Sequence, residues 1–224
     1  MTSLLALKLF LAPIFVGLVS VIQKRWGDQV GGRLIGLPLT TGPFIFIIYI
    51  QEGRSFAAHA AHGVLVGQVA LIIFAWSYAT AATRTNWVSA LATGTLACLA
   101  SGTVLTAREI PLIPLLLILS ITWACAKKYW PAYDRQPHSN EPPSWELPIR
   151  LVATVFIILI LSGFASILGA GVAGALSTYP VIASVLGAFN QRRFGPTATV
   201  ATLHGMIQTL PITTLIMSAL TVFL

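Results

Sequence analysis

The chain is poor in charge. Only 8% of its 224 residues are Asp, Glu, Lys or Arg, and only six are acidic. A soluble domain carries roughly 25% charged residues, so this scarcity excludes a soluble globular enzyme. The 56% apolar content excludes a disordered or fibrous chain. Cysteine is nearly missing too. Cys98 and Cys125 lie in separate apolar runs, with no CxxC and no Cys/His cluster, so both read as small core residues rather than a disulfide or a metal site. Carboxylates are lacking from the depth of every apolar run, which also argues against a metal. No metalloprotease, rhomboid-like or phosphotransfer motif is visible. The chain is therefore expected to have no catalytic residues and no cofactor.

What is present is long hydrophobic runs, with a mean hydropathy of +0.85. Barrel strands alternate apolar and polar residues over about ten positions. These runs are continuous and longer, which predicts an all-α, polytopic transmembrane bundle in a lipid bilayer. A crossing needs about 20 residues. On that measure about eight spans are expected: 4–22, 34–50, 56–79, 87–105, 110–126, 151–168, 171–189 and 197–223. The first reads as a retained helix rather than a cleaved leader. The polar, Pro-rich stretch 127–150 separates the fifth span from the sixth.

The net charge of +7 fits this picture better than nucleic acid, because the basic residues are scattered between apolar spans and form no stripe. With the N-terminus outside, the inner loops carry Lys24, Arg25, Arg33, Arg84, Lys127, Lys128, Arg135, Arg150, Arg192 and Arg193. The outer side carries only Arg54, Arg108 and Lys8, the last placed to snorkel to the surface. Ten against three supports an even number of spans and both termini outside.

Two stretches resemble each other. Leu39-Thr40-Thr41-Gly42-Pro43 and Leu176-Ser177-Thr178-Tyr179-Pro180 both follow small-residue runs, and both continue into an apolar half-helix that ends in a polar tip. Ala60-Ala61-His62-Gly63 then matches Thr202-Leu203-His204-Gly205 in the same order. Spans one to three and six to eight thus form a repeat. Equivalent spans are five apart, so the copies must run oppositely through the bilayer. The expected organisation is residues 1–105 (first repeat plus span four), 106–148 (span five and the cytoplasmic loop) and 149–224 (second repeat). Inverted repeats with interrupted helices are a plan of secondary transporters.

The candidate site residues follow from this plan. Proline removes a backbone donor and disrupts the preceding turn, so spans two and seven should be broken near Pro43 and Pro180. Irregular backbone at membrane depth needs protein or a wet cavity around it. Thr40, Thr41, Pro43, Ser177, Thr178, Tyr179 and Pro180, with Gln68 and Gln208, are the expected substrate contacts; helix-to-helix packing is the alternative for each. His62 and His204 are intramembrane, and His59 lies one turn from His62. A proton-coupling role suits them, because histidine ordinarily titrates near neutrality; a neutral interhelical hydrogen bond is the alternative. Inverted symmetry places His62 at the depth of Ser177 and Thr178, and His204 at that of Thr40 and Thr41. Glu52, Arg54, Arg192 and Arg193, at the hairpin tips, are expected to be solvated.

The order of small-residue run, Pro-broken helix, polar tip with Gly and Ala-rich helix, seen in Gly32–Pro43 with Gln51–Ala61 and again in Gly169–Pro180 with Arg193–Leu203, resembles the GlpM-like group of small bacterial inner-membrane proteins. The resemblance covers about two-thirds of the chain. It implies one unit of about four spans, here duplicated as a fused inverted pair, and a bacterial inner membrane. It links the chain loosely to envelope polysaccharide export and small-molecule tolerance, and carries over no residue roles. The functional expectation is a small secondary transporter or exporter, driven by protons, for a small polar or amphipathic compound. The alternative is a non-transporting scaffold or accessory subunit of an envelope-synthesis system, docking through the 127–150 loop. A second copy of the chain or such an assembly would be its protein partner.

Overall fold

The structure is a computed structural model that describes residues 2–39, 41–133, 145–167 and 179–224. Among these the chain forms nine helices: α1 (Thr2–Trp26), α2 (Asp28–Gly36), α3 (Thr41–Glu52), α4 (Arg54–Ala82), α5 (Trp87–Thr106), α6 (Leu112–Lys128), α7 (Glu146–Ile167), α8 (Val181–Phe194) and α9 (Pro196–Phe223). No strand occurs among the described residues. Six candidate spans are long and apolar enough to cross a membrane: 9–26, 28–52, 54–82, 87–106, 146–163 and 196–223. With 17 residues α6 falls just short of that length, and with 14 residues α8 covers only about 21 Å at 1.5 Å per residue.

Three corners join helices without a loop. Gly27, Gly53 and Gly195 have φ of +89°, +86° and +83° with extended ψ, a region open essentially to glycine alone. Each closes the helix behind it: Gly53 N donates to Tyr49 O at 3.1 Å, and Gly195 N to Gln191 O at 3.1 Å. A Cβ on any of the three would meet nothing within 4 Å, so the requirement is torsional and not steric.

The main core is built around α4 and α9, which run antiparallel: Arg54 at the start of α4 donates to the carbonyl of Phe223 at the end of α9. Leu65, Phe74 and Tyr78 of α4 meet Leu203, Met206 and Met217 of α9 in one buried cluster, closed by residues of α3, α5 and α6. Outward-facing Leu96, Ile113, Phe156 and Leu215 stay exposed, as lipid-facing residues should.

Helices α2 and α9 touch backbone to backbone through glycines. A Cβ on Gly32 would lie 1.9 Å from Thr202 O, one on Gly36 2.2 Å from Met206 O, and one on Gly205 2.1 Å from Gln29 O. Small residues let the backbones touch, which is how helices associate where lipid supplies no hydrophobic drive. By contrast α1 and α7 form a peripheral pair. They pack on each other and, through Val16, Val19, Leu151, Ile157, Val185 and Leu186, on α8; α1 also packs along α2, against Leu34 and Ile35.

One end of the bundle gathers basic residues. Arg150 near the start of α7 reaches Ser20 near the end of α1, and Gln191 near the end of α8 donates to the carbonyls of Ala82 and Thr85 beside Arg84. Lys24, Arg25, Arg84, Arg192 and Arg193 therefore share that end. The helix start differs from the expected polar stretch in one respect: α7 begins at Glu146, which draws Glu146 and Arg150 out of the loop and into the bundle.

Candidate functional site

The stretch Asp28–Glu52 is interrupted after Gly36, at residues 37–39, between α2 and α3. Pro38 lies within the interruption. Pro43 sits one step further on, in the first turn of α3, where its missing N–H costs nothing. The freed carbonyls are claimed by threonines of α9: Thr213 Oγ1 donates to Gly36 O at 2.6 Å, and Thr209 Oγ1 to Arg33 O at 2.7 Å. Within the turn, Leu39 N reaches Leu37 O at 2.8 Å and Gly42 N reaches Pro38 O at 2.8 Å.

Gln68 lies beside this break. It occupies the midpoint of α4, fourteen residues from Arg54 and fourteen from Ala82. Its Oε1 accepts from Thr214 Oγ1 at 2.9 Å, and Thr214 is the neighbour of the Thr213 that closes α2. Gln68 is 4% exposed, yet its Nε2 has no partner among the described residues, and neither does the buried Thr41 Oγ1 at the start of α3. A buried amide N–H without a partner costs about 1–3 kcal/mol. Two buried polar groups thus lack a partner among the described residues: Thr41 Oγ1, at the positive end of the α3 half-helix, and Gln68 Nε2, linked to the break through Thr214 of α9. Such a place can hold a hydrogen-bond acceptor.

No family model, curated protein or solved structure matches the chain.

The remaining expected site residues are distributed as follows. Thr40, Ser177 and Thr178, the Lys8 side chain, loop residues 134–144 and the small-residue run Gly169–Leu176 lie outside the described residues. Tyr179 OH is 3.0 Å from Thr95 Oγ1 on α5, and its ring meets Phe74 edge-on at 6.1 Å. Pro180 precedes α8, and its carbonyl accepts from Ser184 Oγ at 2.9 Å. Gln208 accepts from Gln29 and from Arg33, each at 3.2 Å, on the side of α9 that faces α2. It does not join Gln68.

The two histidines are held apart. His62 is eight residues past Arg54 and His204 eight past Pro196, on antiparallel helices, so they lie toward opposite ends. His62 Nε2 is 3.0 Å from Ile110 O. His204 Nδ1 is 2.7 Å from Tyr133 OH, and its ring stacks on Trp130 at 5.4 Å. His59 is exposed and bonds Ser55 O of its own helix. Among the described residues no three metal-ligating side chains come together.

The hairpin tips correct one expectation. Glu52, Arg54 and Arg192 are exposed, but Arg193 is partly buried against Glu146, at 3.0 Å. Sequence reasoning missed the cluster it belongs to. The available signal was Glu146 and Arg150 at i, i+4, a pair that shares one helix face.

Proposed function

We propose that the chain is a small secondary transporter of the bacterial inner membrane. In this reading it is a duplicated GlpM-like protein of eight spans in two inverted repeats, with both termini outside. It uses protons to move a small polar or amphipathic compound, and no catalytic activity is assigned to it. The observation that carries the reading is the broken helix beside Gln68: a mid-depth interruption whose neighbours include a buried donor without a partner. Structures of this kind cost stability, and a bound substrate repays that cost. The matching corners α3–Gly53–α4 and α8–Gly195–α9, each followed nine residues after the glycine by a histidine, favour the repeat. A transported group with a hydrogen-bond acceptor would be held by Gln68 and Thr41, with Tyr179 and its neighbours at the second break.

The scaffold reading draws on the histidines, since each imidazole already serves an interhelical contact. Proteoliposomes separate the two. Under the transporter reading His62→Ala and His204→Ala alter the pH dependence of uptake, and trimming residues 134–144 matters little. Unchanged pH dependence in both variants rules out the coupling role; loss of function on trimming the loop, with transport absent, favours the scaffold.

A further inference from the structure

The basic end of the bundle is crossed by one buried polar cluster. Glu146 and Arg150, a turn apart on α7, are 3% and 4% exposed. Arg150 Nε and Nη2 donate to Glu146 Oε1 at 3.1 and 2.5 Å. Its Nη1 donates to Ser20 Oγ on α1 at 3.2 Å, and Nη2 also donates to Asn190 Oδ1 on α8 at 3.0 Å. Arg193 Nη1, also on α8, donates to Glu146 Oε2 at 3.0 Å. Asn190 Nδ2 continues to Thr202 Oγ1 on α9 at 3.0 Å, where Gln23 Nε2 of α1 arrives at 2.9 Å.

Ions drawn out of water are poor glue. Apolar side chains of the same volume hold helices together as well or better, whereas removing one ion of a buried set is severe. What an ion cluster does well is switch between complete and broken. The packing here suits that use. Helices α2, α4 and α9 are bound by glycine contacts and the main core, while α7 packs chiefly on α1 and α8 over a small apolar seam. The polar contacts from α7 to α8 are concentrated in the cluster. Gln23 Oε1, buried within it, has no partner among the described residues, so the closed arrangement is not fully satisfied. The position also fits. Gly32 lies against Thr202 and Gly36 against Met206, so the cluster stands nearer the basic end than the break that follows Gly36.

We infer that Glu146, Arg150, Asn190 and Arg193 form a latch that closes α7 onto α8 and shuts the central break off from the basic end. When the Glu146–Arg193 and Arg150–Asn190 contacts part, α7 moves away from α8, while α1, joined to α2 at Gly27 and packed along it, stays in place. What the latch admits rests on the transporter reading; whether it opens does not.

The test uses the full chain in nanodiscs with Cys98→Ala and Cys125→Ala, and spin labels on Ile149→Cys of α7 and Arg84→Cys beyond α4, both at exposed positions. Glu146→Gln and Asn190→Ala should each add a second population, longer by roughly 5 Å or more, the scale of a one-turn shift. The apolar variant Glu146→Leu/Arg150→Leu/Arg193→Leu, which replaces every ion of the set, should show the short distance alone, and its transport should fall at least tenfold although the protein remains folded. A single unchanged distance in both weakened variants overturns the latch, as does full transport by the apolar triple variant. If the weakened variants open but no variant, nor the parent, moves solute, the transporter reading fails and the latch stands.

Discussion

The carbonyl of Gly36 accepts a hydrogen bond from Thr213 at 2.6 Å, and a methyl group at Gly36 would lie 2.2 Å from the carbonyl of Met206. The same glycine therefore ends α2 and seats it on α9. Gly36→Ala or Gly32→Ala should force the helices apart and lower stability by about 1–3 kcal/mol or more. Gly63→Ala is the matched control. It lies inside α4 with nothing within 4 Å of the new methyl, and should be neutral or stabilising by about 0.5–1 kcal/mol. Thermal unfolding in detergent reads both.

The helix corners give a second expectation. Gly53→Ala and Gly195→Ala place a side chain at φ near +85° in otherwise open space. The cost should be about 1–3 kcal/mol from backbone strain alone. If larger residues at Gly53 cost no more than alanine, the penalty is torsional; a cost that grows with size would contradict the open space around this corner.

Much of this architecture is legible in sequence because lipid imposes length and apolarity directly. The expected span 87–105 and α5 share their start, Trp87, and the expected 197–223 and α9 share their end, Phe223. Pro43 and the threonines before it mark the first break to within one turn. The latch was not legible, for a physical reason. Arg150, Arg192 and Arg193 read alike in a count of loop charges, yet Arg192 is exposed while Arg150 is buried against Glu146. Burial of a charge depends on which helix ends meet, and hydropathy along one chain holds no such information. The short α8 was hidden similarly, because the apolar, small-residue run before Val181 extends the hydrophobic signal beyond the helix.

Arg150→Leu alone leaves the Glu146 carboxylate buried with half its partners gone. Its expected cost is about 3–5 kcal/mol, whereas Glu146→Leu/Arg150→Leu should cost clearly less than the sum of its two single substitutions, and adding Arg193→Leu, which removes the last ion of the set, should return stability to near the parent. A double-mutant cycle by thermal denaturation checks this. A loss in the double variant equal to the sum of the two single losses would mean that the pair is not coupled, contrary to its 2.5 Å contact.

Gln68→Leu separates binding from folding at the central break. The substitution removes an acceptor and a donor together, and it fills a similar volume. Thr214 is not stranded by it, because its hydroxyl also donates to Leu210 O at 3.1 Å. The Nε2 that leaves is buried without a partner among the described residues, so its loss relieves a penalty rather than adding one. Stability should therefore stay within about 1 kcal/mol of the parent, or rise. Transport has the opposite expectation. A substrate acceptor held by that amide loses a hydrogen bond worth a factor of about ten in affinity, so uptake at low substrate should fall by about that factor. Uptake kinetics in proteoliposomes, with unfolding of the same preparations, read the two effects side by side. Parental uptake by folded Gln68→Leu would remove the break from the transport path, whereas a stability loss matching the uptake loss would make Gln68 a packing residue.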